Sequence, residues 1–258
     1  MDKDVMSTPV SPMDVLKQLQ ALTPARIGLN RSGSSISTRE MLKFDLDHAH
    51  ARDAVHLPFA ADLIEQKLRD QDIHVLRVQS RANDRTAYLQ RPDLGRLING
   101  ASLSVLEEFR STENRASDLC IIVADGLSTR SIHDNALPFM DHFRPIAYRH
   151  GWSCTPVVIA EQARVAIADD IGSALGARIS IILIGERPGL SASDSMGIYM
   201  TWAPKKGRTD AQRNCISNIR PQGLDCPTAA RELEGLITSA MAQKVSGVEM
   251  QRSDGLLP

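Results

Sequence analysis

Two nearly uninterrupted apolar stretches constrain this chain more than any other feature: Leu119-Cys120-Ile121-Ile122-Val123-Ala124 and Ile179-Ser180-Ile181-Ile182-Leu183-Ile184. Neither alternates between apolar and polar side chains, so neither can keep one face in water. Both have strand length and are rich in β-branched residues. The first ends at Asp125-Gly126 and the second at Gly185, which mark turns. A strand buried on both faces needs cover above and below. The intervening segments read as helices, so the expected class is α/β, with a mostly parallel sheet and helices on both faces.

The rest of the pattern fits around these strands. Residues 1–12, with Thr8-Pro9 and Ser11-Pro12, read as a loose, flexible tail. Val15, Leu16, Leu19 and Leu22 predict a helix over 13–22, and Ser37 with Glu40 forms a capping box that starts another, closed by Pro58. A third helix is expected over 60–68. Strands are then expected at 73–78, 119–124, 156–160, 178–184, 198–202 and 215–219. Helices are expected at 101–112, from Thr129 toward His142 before Pro145, at 167–176 and at 229–245. This divides the chain into the tail 1–12, a helical region 13–70 and an α/β domain 71–258.

Composition narrows the function. Thirty basic residues against 31 acidic ones leave a net charge of −1, which argues against a dedicated nucleic-acid binder. No apolar run approaches the ~18 residues of a membrane span. The N-terminus lacks the basic and apolar regions of a secretory signal. Cys120, Cys154, Cys215 and Cys226 form no CxxC pair, so zinc-ribbon and thioredoxin-type sites are unsupported, and free thiols suit a cytoplasmic location.

In an open α/β sheet, ligands gather beyond the carboxyl ends of the strands. Two such ends stand out, Asp125-Gly126-Leu127-Ser128-Thr129 and Gly185-Glu186-Arg187-Pro188-Gly189. Each reads equally as a ligand loop or as a capped strand-to-helix turn. There is no nucleophile elbow, Walker A sequence or GxGxxG. His48 and His50 are spaced i,i+2, so on a helix they diverge and favour solvated polar residues over a metal pair. Asp72-Ile73-His74 lacks the glycine of the Asp-x-His-x-x-Gly cobalt-ligand loop, since Arg77 stands there, and His74 reads as a strand histidine. No complete catalytic set emerges, which fits a subunit whose site is completed elsewhere.

The two loops, together with Cys215-Ile216-Ser217-Asn218-Ile219, Leu89 with Arg91-Pro92-Asp93-Leu94-Gly95-Arg96, and Gln243-Lys244-Val245-Ser246-Gly247-Val248, resemble the small (light) subunit of ethanolamine ammonia-lyase in order and over about residues 25–250. The resemblance implies a Rossmann-like domain that closes over adenosylcobalamin at the interface with a TIM-barrel large subunit, which binds ethanolamine. It also implies a hetero-oligomer of α6β6 type, inactive as this chain alone. The reaction implied is radical conversion of ethanolamine to acetaldehyde and ammonia, with the cofactor's own base kept on cobalt. The corrinoid-contacting positions carried over are Val165, Glu186 and Cys215; catalytic residues and metal ligands are none. Val165 follows Ala163-Arg164 where the family has Gly-Arg, and its competing role is a strand-end apolar residue. The competing roles of Glu186 and Cys215 are an ion pair with a nearby arginine and a small buried hydrophobe. Some members carry a longer N-terminal extension linked to packing in a bacterial microcompartment. Here 13–22 is the candidate targeting helix, against a packed or frayed terminal helix.

Two other functions compete. A stand-alone cobalamin-binding module predicts tight corrinoid binding by the isolated chain. A cobalamin-independent Rossmann-like metabolic enzyme predicts a complete catalytic constellation within it.

Overall fold

The computed structural model describes residues 11–23, 25–29, 31–113 and 116–251. The expected tail at 1–12 falls outside it except for its last two positions, and Pro12 already opens helix α1 (Pro12–Ala21). In chain order there follow a two-residue hairpin, β1 (Arg31–Ser32) and β2 (Ser35–Ile36), then helices α2 (Thr38–His56) and α3 (Ala61–Arg69). Strand β3 (Val75–Gln79), helices α4 (Arg85–Gln90) and α5 (Gly100–Glu113), strand β4 (Ser117–Ala124) and helix α6 (Thr129–Arg149) come next. Strand β5 (Val157–Glu161), helix α7 (Ile167–Ala174), strands β6 (Ala177–Gly185), β7 (Met196–Trp202) and β8 (Arg213–Ile219), and helix α8 (Cys226–Gln243) complete it. Among the described residues no helix is long and apolar enough to cross a membrane.

The main sheet has the order β3-β5-β4-β6-β7-β8. The first four strands are parallel, as expected. β7 and β8 are antiparallel to their predecessors, because the chain between β6, β7 and β8 holds no crossover helix and must return directly. Alternation then sorts each strand between two layers. Leu119, Ile121, Val123, Ile179, Ile181 and Leu183 pack with Leu68 of α3, Phe139 and Phe143 of α6, and Leu233 and Ile237 of α8. Cys120, Ile122, Ala124, Ile182 and Ile184 pack with Leu106 of α5 and Ile167 and Ile171 of α7. Each such aliphatic side chain removed from water contributes roughly 1.5–3 kcal/mol.

Two boundaries and one short helix depart from the sequence reading for reasons visible in the packing. Helix α6 runs through Pro138 and Pro145 to Arg149 instead of stopping before Pro145. Both prolines are exposed, as are Asp134 and Asp141 four residues earlier, so the carbonyls they leave unpaired face water. Phe139, Phe143 and Ile146 on the opposite side stay buried and hold the helix. Strand β3 starts at Val75, not 73, because Asp72 turns the chain at φ +57° and Ile73 N–H still bonds the Leu68 carbonyl of α3. Helix α4 gave no periodic signal: it has six residues, started by Asp84, whose carboxylate accepts the Ala87 N–H at 2.8 Å.

The second helix layer does not reach across the whole sheet. Helix α7 covers the start of β8, where Arg213 is buried and meets Asp169 through two hydrogen bonds of 2.7 Å, with Thr201 Oγ1 at 3.0 Å. Beyond it on that face, Tyr199 is half-buried and Cys215 and Ser217 are exposed. Removing one partner of a buried pair leaves an unpaired charge. Asp169→Ala is therefore expected to lower unfolding free energy by about 3–5 kcal/mol in urea denaturation. Asp134→Ala, which breaks an exposed pair with Arg130, should cost no more than about 1 kcal/mol.

Candidate functional site

The carboxyl ends of the parallel strands carry both loops singled out in the sequence, and the structure separates their roles. The Asp125 side chain is 1% exposed. Its Oδ1 accepts the N–H groups of Gly126 and Ala163, both at 2.9 Å, and its Oδ2 accepts that of Gln162 at 2.9 Å. Arg85 Nη1 lies 3.3 Å from Oδ2 and also donates to the Gly126 carbonyl, while its Nε donates to the Val55 carbonyl of α2. One carboxylate thus joins the ends of β4 and β5 to α4 and, through Arg85, to α2. Gly126, at φ +59°, lies against Gly185: a Cβ on Gly126 would come within 2.3 Å of the Gly185 carbonyl oxygen. Ser128 caps α6 and donates to the Ser193 carbonyl at 2.6 Å. The Asp125 and Ser128 side chains of this loop are thus engaged within the fold.

Burial, opposed by the three N–H groups and Arg85, pushes the Asp125 carboxyl up to about 6. A folded value above the unfolded one of ~3.9 means that the folded state binds the extra proton between about pH 4 and 6. The associated stabilisation is complete below that window and lost as pH rises through about 6. The Asp125 carboxyl carbon is expected to titrate near pH 6 in a ¹³C NMR series, against ordinary carboxylates near 4.

The second loop reaches a different surface. Glu186 leaves the end of β6 and lies back across β7, with Oε1 only 2.8 Å from where a Cβ on Gly197 would stand. Ser195 Oγ donates to Glu186 Oε2 at 2.5 Å, and Asn218 N–H donates to the same oxygen at 3.3 Å. Asn218 presents that N–H from the left-handed region, φ +61°, beside an irregularity in the β7–β8 register. Asparagine is among the few residues with a side chain that visit this conformation readily.

Cys215 stands opposite Tyr199 in that register, exposed, with Sγ 3.1 Å from Ser217 Oγ. Burial first, and then the neighbouring Cys215 and Glu186, push the Tyr199 phenol above its usual range, so it stays neutral. The structure therefore brings Glu186 and Cys215 onto one patch, on the part of the sheet face that α7 leaves uncovered. Val165 lies in the turn between β5 and α7, half-buried, and packs on the same apolar cluster as Tyr199. Its neighbour Ala163 is fully buried under Asp125.

Sequence reading missed Ser195, Gly197, Tyr199 and Asn218. The available signal was in β7, where Gly197, Tyr199 and Thr201 alternate with Met196, Ile198 and Met200. Such alternation marks a strand with one buried face and one left for something else. Among the described residues no group of three His, Cys, Asp or Glu side chains is placed to hold a metal ion. His48 stacks on Phe44 at 6.2 Å on α2, and exposed His74 meets the edge of Phe109 at 5.5 Å.

The model of the ethanolamine ammonia-lyase light chain (EutC) family matches residues 13–251. Relatives that carry the name ethanolamine ammonia-lyase small subunit include the following. The protein of Pseudomonas aeruginosa (strain LESB58) is 50% identical over 246 residues, covering 93% of this chain and 90% of its own length. That of Pseudomonas putida (strain W619) is 47% identical over 251 residues, covering 97% and 91%. That of Azotobacter vinelandii (strain DJ / ATCC BAA-1303) is 48% identical over 235 residues, covering 91% and 87%. Matched by this family model over residues 13–251 and about half identical to these relatives over most of its length, the chain belongs to the ethanolamine ammonia-lyase light chain family.

Proposed function

We propose that this small subunit covers one face of adenosylcobalamin at its contact with a large subunit, in an assembly that converts ethanolamine to acetaldehyde and ammonia. The observation that carries the reading is the convergence of Glu186 and Cys215 on one uncovered part of the sheet face. The residues there suit a corrinoid. The patch is strand-built, and half-buried Tyr199 stands in it beside Cys215 and two residues along from Gly197. Its rim holds polar atoms, the Glu186 carboxylate and the Ser217 hydroxyl, that can pair with the amides around a corrin ring. None of these residues is a histidine, and the Cys215 thiol already has Ser217 as a hydrogen-bond partner. The patch is thus a surface for contact and not a source of a strong cobalt ligand, in keeping with a cofactor that retains its own base.

When bound, adenosylcobalamin supplies a cobalt–carbon bond whose homolysis begins the radical chemistry. This chain's part is to bind, orient and shield. Glu186, held by Ser195 and Asn218, offers an acceptor fixed in position. Val165 and Tyr199 offer apolar contact, and together with the sheet beneath they exclude water from one side. An open sheet face cannot enclose its ligand, whereas small-molecule sites typically bury ~70–90% of theirs. The remaining cover, and the binding of ethanolamine, fall to the large subunit, which alone can complete a site closed to water and stray hydrogen donors.

Reconstitution tests this division. With adenosylcobalamin and ethanolamine, turnover is expected only when this chain and the large subunit are mixed. Substantial turnover by either chain alone overturns the reading. Cys215→Ala is expected to weaken cobalamin retention by the complex by only about fivefold, roughly 1 kcal/mol of lost contact, with the base-on absorption spectrum unchanged. Loss of that spectrum would make Cys215 more than a packing contact.

A further inference from the structure

Gly197 is a glycine for a reason that its backbone does not supply. It is not among the residues with positive φ, and it pairs regularly with Ile184 of β6, while on its β8 side it faces the register shift between Met196 and Ile198. Any residue could adopt its conformation, and β-propensity disfavours glycine in a strand. What a side chain there would meet is Glu186, which would have to shift: a Cβ at 197 would stand 2.8 Å from Oε1, 3.2 Å from Cγ and 3.4 Å from Cδ. The Glu186 side chain occupies the space that a side chain at 197 would take. Two residues further along the same face comes Tyr199, paired with Ile182 on one side and Cys215 on the other. Tyr199 is the one aromatic ring of β7 and β8 on that face, since Trp202 has the opposite parity and packs with the other layer.

We propose that Gly197 and Tyr199 are positioning residues of the cofactor-facing surface. The bare Gly197 sets where the Glu186 carboxylate lies, and the Tyr199 ring is the flat support between that carboxylate and Cys215 on which a planar macrocycle rests. The proposal rests on the cobalamin reading above and adds two residues that act in different ways. Gly197 works only through Glu186. An alanine there forces the carboxylate off the strand and away from the Ser195 hydroxyl and Asn218 N–H that fix it. Tyr199 works through its ring, so its hydroxyl is dispensable for support and the ring is not.

The test uses the complex of this chain with its large subunit, binding hydroxocobalamin, followed by absorbance titration. Gly197→Ala is expected to weaken binding about tenfold, a change of ~1.4 kcal/mol. In a Glu186→Ala background the same Gly197→Ala change should have no further effect, because the space is then free; this non-additivity is the signature of action through Glu186. Tyr199→Phe should stay within about twofold of wild type, whereas Tyr199→Leu should lose about tenfold, as flat aromatic contact outweighs its area alone. Thermal unfolding of each complex reports whether a variant is folded, and the double variant remains informative if Gly197→Ala alone unfolds. A wild-type complex that does not bind hydroxocobalamin overturns the cobalamin reading itself. Wild-type binding with an additive Gly197 effect, or with Tyr199→Leu unchanged, leaves that reading standing and overturns this proposal.

Discussion

The buried Asp125 carboxylate is the joint on which the carboxyl end of this sheet depends. Three backbone N–H groups and Arg85 converge on it, so the loops after β4 and β5, the short helix α4 and the end of α2 share one anchor. Buried polar groups of this kind are costly unless fully partnered, and once partnered they fix geometry. The interlock of Gly126 with Gly185 carries this order to the end of β6, from which Glu186 departs. The point at which Glu186 leaves the end of β6 is therefore set by a buried carboxylate at the end of the neighbouring strand β4.

The fold's second asymmetry is the unequal reach of its helix layers. On one side α3, α6 and α8 cover the sheet from β3 to β8. On the other side α5 and α7 stop short, with the Asp169–Arg213 pair marking where α7 last grips the β7–β8 hairpin. A doubly covered parallel sheet thus becomes a singly covered antiparallel one at its edge. Exposed sheet surface of this kind calls for a partner or a ligand, and the two strands concerned carry the tyrosine, cysteine and serine that suit one.

This arrangement suits the proposed role, in which the chain binds and orients a cofactor. Its titratable groups at the strand ends are either consumed by the fold, as Asp125 is, or held as fixed acceptors, as Glu186 is. Where a cofactor brings the reactive bond, the protein's contribution is shape, orientation and exclusion of water. In the function proposed above, the open sheet face would provide one wall of such an enclosure.

The sequence by itself determined the layered α/β class, because continuous apolar strands leave no other way to bury both faces. It also determined the capped start of α2 at Ser37 and the turns at the strand ends, since caps and turns are local and depend on a few adjacent residues. It did not determine where α6 ends: the prolines signal a stop, and only the packing of Phe143 and Ile146 beneath them, with water available above, carries the helix on. Nor did it determine which strand-end loop is buried within the fold and which reaches the open sheet face, as both show the same turn chemistry. The convergence of Glu186, Gly197, Tyr199 and Cys215 was decided by the tertiary structure alone. These residues are brought together by the register of two antiparallel pairings and by the point at which α7 stops, and no property of a single segment encodes either.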